Sequence, residues 1–222
     1  MIKALFFKEW LKLRYFLWIP FIMAGAALGD YCLTLKGVLA MHGAVDTWNG
    51  IIAKETIYFT SLQWTFILGG IWIAAVQMVP ECVNKRLRLL FHLPVQPGTA
   101  LGVQVVTGLS IMLVLFGVVS CGFFVAGMYF GFPSELTMPM FRTMLPWGLA
   151  GAVAWCATAA AVADPSFKRK VAVVLIGIGY MTMLTGGRGY ASMDASFWLY
   201  CLVCLPWPLA FGAAALRVKE GA

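Results

Sequence analysis

Six long apolar runs, separated by short polar segments, constrain the fold of this chain more than any other feature. They cover roughly residues 15–35, 57–79, 99–131, 144–163, 171–187 and 196–216. About 20 apolar residues are needed to cross a bilayer as a helix, and a helix satisfies its backbone polar groups within the segment. We therefore predict an all-α integral membrane protein with six transmembrane helices, in which residues 1–222 form a single domain.

Composition and charge agree with this fold class. Only 11% of the residues are charged, against about 25% in soluble domains. Twelve of the 16 Lys and Arg residues fall in one set of loops, and the other set holds Lys36, Lys54, Arg142 and Arg188. Basic residues collect on the cytoplasmic side of a membrane protein. We therefore predict cytoplasmic termini and contact with membrane lipids, and we attribute none of the net charge of +7 to nucleic-acid binding.

Residues 1–14 form an amphipathic pattern ahead of the first run. At about 100° per residue, one face carries Ile2, Phe6, Trp10 and Leu13. Lys8, Glu9 and Lys12 lie on the opposite face. A basic amphipathic helix of this kind lies in the membrane interface. We predict such an interfacial helix; the alternative is an ordinary cytoplasmic tail with stop-transfer charges.

Residues 81–97 form a second basic segment, which lies between the second and third runs. Its Leu93-Pro94 step disfavours a continuous helix, because the residue before a proline avoids the helical region. The segment predicts a short cytoplasmic helix against which a soluble partner can push. The candidate contact residues are Lys85, Arg86, Arg88, Leu89, Leu90 and Phe91.

A polar stripe follows the second run with a period of seven residues. It consists of Thr56, Gln63, Gly70 and Gln77. Amide side chains need hydrogen-bond partners that lipid does not offer, so this face should meet protein or water. Two interpretations stay open: the stripe lines a pathway or a seam between two subunits, or it packs inside the chain.

Motifs for nucleotide binding and catalysis are absent from the sequence. It contains no G-x-x-x-x-G-K-[ST] phosphate loop, no G-x-S-x-G elbow and no H-E-x-x-H pair. The six cysteines are scattered without ligand spacing, so we expect free thiols and neither metal nor cofactor. We expect the chain itself not to be an enzyme.

The order of these features resembles the membrane subunits of ABC type-2 exporters. The resemblance rests on Phe6-Phe7-Lys8-Glu9-Trp10, on six spans with both ends inside, and on a basic loop that ends in Leu93-Pro94-Val95. It differs from the family pattern in Gln96-Pro97 and in the short outer segment 186–195. It implies that residues 1–14 are the elbow helix of the family and that residues 81–97 hold its coupling helix.

The resemblance also implies a function and partners. The chain would be an ABC transporter permease of the inner (cytoplasmic) membrane, and a second permease copy or a related permease would complete the export pathway as a dimer. A separate cytoplasmic ATPase would bind ATP and drive membrane transport. The alternative is a non-transporting membrane scaffold or assembly factor.

Overall fold

The computed structural model describes residues 2–83, 96–187 and 189–220, and these residues contain helices and no strand. A 3₁₀ turn at Asp194–Ser196 precedes the seventh of the eight helices. They are α1 (Ile2–Leu13), α2 (Trp18–Ile52), α3 (Ser61–Val83), α4 (Pro97–Tyr129), α5 (Ser134–Ala163), α6 (Phe167–Thr185), α7 (Phe197–Cys204) and α8 (Pro206–Glu220).

Five segments are long and apolar enough to cross a membrane, which indicates a multi-pass membrane protein. They are Trp18–Gly43, Ser61–Val83, Pro97–Tyr129, Ser134–Ala163 and Asp194–Val218. The remaining apolar run, the fifth along the chain, forms α6, whose first turn carries Lys168, Arg169 and Lys170. The rest of that helix spans only about 22 Å, short of the roughly 30 Å hydrocarbon core. The sixth spanning helix therefore stays a prediction.

Helix α5 lies at the centre of the bundle. It forms its most extensive contact with α3, where a Cβ atom on Gly70 would overlap the carbonyl oxygen of Gly151. Glycine at both positions lets the two backbones touch, as in many membrane helix pairs. Trp155 of the same helix is fully buried, and its ring occupies the space above Gly108 of α4. Any larger residue at these glycines would force helices apart.

Helix α6 lies at the periphery of the bundle. It packs chiefly against α5, and only Gly177 and Leu184 of its residues are buried. Its long aliphatic side chains face outward, including Leu175 and Ile176. This exposed apolar surface fits contact with lipid or with another protein chain.

The helix ends fall into two groups. Val83, Asp164 and Val218 line one cavity, so the ends of α3, α5 and α8 lie together. Helix α1 joins the same end through an ion pair between Lys8 and Glu81. We call this the basic end. The grouping matches the charge split of the sequence, and the side of the membrane that this end faces stays a prediction.

Candidate functional site

A buried cluster of charged and amide side chains joins α1 to α3 and α4 at the basic end. We call it the α1 cluster. It consists of Lys8, Glu9 and Lys12 from α1, Gln77 and Glu81 from α3, and Gln104 from α4. Both carboxylates are almost completely buried, with exposed fractions of 2% for Glu9 and 1% for Glu81. A buried carboxylate is stable only when it is paired and hydrogen-bonded.

Two lysines neutralise these two carboxylates. Glu81 Oε1 lies 2.7 Å from Lys8 Nζ and 2.9 Å from Lys12 Nζ. Lys12 Nζ also lies 2.7 Å from Glu9 Oε1, one turn away on the same helix. The Lys8 side chain is 43% exposed and Lys12 is 18% exposed. The two positive and two negative charges of the cluster therefore cancel. The long lysine side chains place their ammonium groups closer to the surface than the carboxylates.

Gln77 of α3 forms hydrogen bonds to both α1 and α4. Its Nε2 donates to Glu9 Oε2 at 3.0 Å and to the backbone carbonyl oxygen of Gln104 at 2.9 Å. Its side chain is completely buried. The side-chain amide of Gln104 and the free oxygens of Gln77 and Glu81 have no partner among the described residues. Buried polar atoms of this kind normally bind water or another polar group. The cluster therefore contains more hydrogen-bonding atoms than its own members pair with.

The orientation of α1 follows from this cluster. Its charged face turns inward, while Ile2, Phe6 and Trp10 are exposed, the last by 53%. Leu13, which the helical pattern places on the same apolar face, is instead buried. An outward apolar face is favourable when the surroundings are lipid. The interfacial position predicted for α1 stays a prediction. Glu9, which the helical pattern places opposite the apolar face, is buried against α3.

A third buried carboxylate, Asp164, lies at the turn between α5 and α6. Its Oδ2 accepts from Arg217 Nη1 of α8 at 3.0 Å, and its Oδ1 lies 3.4 Å from Arg169 Nε. The backbone N–H of Ser166 donates to Oδ1 at 2.8 Å. Asp164 thereby fixes the turn and holds the end of α8 against it.

A cleft of about 670 Å³ opens between α3, α5, α6 and α8 beside Asp164. Its walls are mostly aliphatic, with Val79 and Val83 on one side and Val174 on another. Lys170 also lines the cleft. The volume falls within the range of small-molecule sites.

Aromatic side chains form the buried cluster at the opposite end of the bundle. Phe59 is fully buried, with its ring centroid 5.1 Å from Phe123 and 5.4 Å from Trp147. Tyr31 stacks on Phe123 at 5.1 Å. Tyr190 packs on Phe59, and burial, followed by the nearby Tyr31 hydroxyl, raises the pKa of its own hydroxyl. The neutral Tyr190 hydroxyl donates to the carbonyl oxygen of Thr56.

The predicted contact residues for a soluble partner lie outside the described residues. These are Lys85, Arg86, Arg88, Leu89, Leu90 and Phe91. Helix α3 continues to Val83 and α4 begins at Pro97. The first three residues of the predicted loop 81–97 are therefore helical, and Glu81 belongs to the α1 cluster. The role proposed for the remaining segment stays a prediction.

The four residues of the polar stripe in the second run lie in different environments. Thr56 precedes α3 and is exposed, so it is not on that helix. Gly70 is buried against Gly151, and Gln77 is buried in the α1 cluster, both as internal packing predicts. Gln63 is half-buried. A pathway or seam role stays a prediction, and Gln63 is the stripe residue best placed for it.

Of the α1 cluster, only Gln77 was predicted as a site residue. Sequence reasoning missed its other members, which are Lys8, Glu9, Lys12, Glu81 and Gln104. It also missed Asp164 with its partners Arg169 and Arg217. Gln104 and Asp164 gave a signal, since each is an isolated polar residue within or at the end of an apolar run. Their partners come from distant parts of the chain, which no local pattern identifies. The cysteines are free thiols: Cys156 is buried, Cys121 is exposed, and the other four are partly buried.

No family model matches this chain, and no curated protein or solved structure matches it either. Among the residues that the structure describes, no group of three or more His, Cys, Asp or Glu side chains could hold a metal ion.

Proposed function

We propose that this chain is the permease subunit of an ABC exporter in the inner (cytoplasmic) membrane, with both termini in the cytoplasm. Two such subunits would enclose the substrate path, and a separate cytoplasmic ATPase would supply the energy. The observation that carries the proposal is the α1 cluster. It fastens α1 to α3 within one turn of Val83, where the basic segment begins.

This attachment gives a mechanical reason for the proposal. A push on the basic segment reaches α3 and α4 through the chain itself. It reaches α1 through the Lys8–Glu81 ion pair and through Gln77. A partner changes a conformational equilibrium only when it binds the two states differently. The ATPase would therefore have to hold the segment in both of its nucleotide states.

The apolar anchors of the segment test the proposal most sharply. Affinity purification of the chain from its native membranes should recover a protein with a phosphate loop, and ATP hydrolysis should co-purify. Leu90→Asp should abolish both, because a buried apolar anchor dominates an interface. Val45→Asp is the matched control, since Val45 is 74% exposed on α2. Recovery of the chain without any ATPase would favour the scaffold alternative. So would an ATPase whose co-purification and ATP hydrolysis are unchanged by Leu90→Asp.

Labelling from outside the cell tests the topology separately. In a variant without other cysteines, Ser134→Cys at the start of α5 should react with a membrane-impermeant maleimide in intact cells. Ser166→Cys at the basic end should react only after the membrane is opened. The reverse pattern would contradict cytoplasmic termini, whatever the function of the chain.

A further inference from the structure

The cleft at the basic end has an aliphatic lining that can bind the apolar part of an amphiphilic molecule. Val79, Val83, Val162, Val174 and Val218 give it aliphatic walls. In a membrane protein, an aliphatic cleft at the end of the helix bundle is more stable when apolar groups fill it than when water does. The acyl region of a lipid is the apolar material at highest concentration there.

A cation stands at the same cleft. Lys170 lines it from the first turn of α6 and is half-buried. Lys170 forms no ion pair with any described residue, whereas its neighbours Arg169 and Arg217 both pair with Asp164. An ammonium group beside aliphatic walls attracts an anion that carries its own apolar part.

The charged side chains around Lys170 are mostly positive as well. The first turn of α6 carries Lys168, Arg169 and Lys170, and α8 contributes Arg217. Four cations therefore lie near the single carboxylate of Asp164. Asp164 is already held by two arginines and a backbone N–H. It therefore does not neutralise Lys170. Basic pockets between membrane helices bind phosphate headgroups of anionic lipids.

We propose that this cleft binds an anionic phospholipid, with the phosphate on Lys170 and an acyl chain between the valines of α3, α6 and α8. The site goes beyond the transport function and does not depend on it. A soluble phosphate ion would use the cation but not the aliphatic walls, so the phospholipid fits the whole cleft better.

Native mass spectrometry of delipidated protein tests the site. The probes are phosphatidylglycerol and phosphatidylcholine, added in steps to detergent-solubilised protein. Wild type should bind the first phosphatidylglycerol more tightly than phosphatidylcholine, and Lys170→Gln should weaken that first binding by about five- to tenfold. Lys168→Gln is the matched control, because Lys168 lies in the same turn but does not line the cleft. It should change the first binding by less than about twofold.

A second variant separates the walls from the charge. Val174→Trp should fill the cleft and weaken binding of both lipids, and the partly exposed position of Val174 keeps the helix folded. Equal effects of Lys170→Gln and Lys168→Gln would show surface attraction and overturn the proposal. So would displacement of the first phosphatidylglycerol by inorganic phosphate alone. Unchanged lipid binding in Val174→Trp would mean that other chain segments, and not lipid, occupy the cleft.

Discussion

The two ends of the bundle are held together by different chemistry. At the basic end, buried carboxylates join helices that are far apart in the sequence, with Glu81 bound to α1 and Asp164 bound to α8. At the opposite end, the rings around Phe59 pack without any buried charge, and the ion pair described there, Arg142–Asp194, is exposed. Aromatic packing fixes one geometry, whereas ion pairs reform between neighbouring geometries. The comparison indicates a rigid aromatic end and a basic end that can rearrange.

The largest effect should come from the aromatic end. Phe59→Ala removes a fully buried ring that contacts Phe123, Trp147 and Tyr190. We expect a loss of about 3–5 kcal/mol in the free energy of unfolding, because the cavity cannot close completely. Unfolding by denaturant in mixed micelles measures it. Phe167→Ala is the control, since Phe167 is 78% exposed and should cost almost nothing.

A smaller loss should follow from Glu81→Gln at the basic end. The substitution leaves Lys8 and Lys12 without their shared carboxylate. Breaking a fully buried pair costs about 3–5 kcal/mol, but these lysines reach toward the surface, so we expect about 2 kcal/mol. Limited proteolysis should also cut near Arg14 more readily as α1 detaches.

Glu135→Gln provides the matched control for that substitution. Glu135 is exposed at the start of α5 and bonds only to its neighbour Ser134 among the described residues. It should change the free energy of unfolding by less than about 0.5 kcal/mol. A Glu81→Gln protein as stable as this control, with α1 still protected from protease, would remove the distinction between the two ends.

The smallest effect should come from Arg142→Gln. Arg142 and Asp194 lie 2.8 Å apart, but each side chain is more than two-fifths exposed. Exposed pairs contribute about 0–1 kcal/mol. The difference from wild type should vanish in about 1 M salt, where screening acts over only about 3 Å. A loss comparable with that of Glu81→Gln would show that charge matters equally at both ends.

Much of the fold could be predicted from the sequence, because a membrane span depends on local composition. Five of the six apolar runs form helices that qualify as spans. The run of α6 does not, because three basic residues occupy its first turn. The contact between Gly70 and Gly151 was beyond prediction, since glycine pairs are frequent in such helices and their partners lie far away in the chain.

The site was harder to predict than the fold. The pattern of α1 predicted an apolar and a charged face, and Leu13 departs from it because it is buried while Ile2 and Trp10 are exposed. Periodicity alone does not say which face meets protein. In water the apolar face of a helix turns inward, whereas beside lipid the charged face can do so when it finds partners, as Glu9 does with Gln77. Glu81 was assigned to a loop because the basic segment follows it at once. Its burial depends on Lys8 and Lys12, whose helix is about 70 residues away in the chain.

Cross-linking of the unaltered protein tests the central claim, that buried charges fasten α1 to α3 at the basic end. A lipid-soluble carbodiimide converts a carboxylate and an adjacent lysine into an amide, and peptide mass spectrometry identifies the pair. We expect Glu81 linked to Lys8 or Lys12, whose Nζ atoms lie 2.7 and 2.9 Å away. Glu81 modified by the reagent but joined to neither lysine would contradict the account.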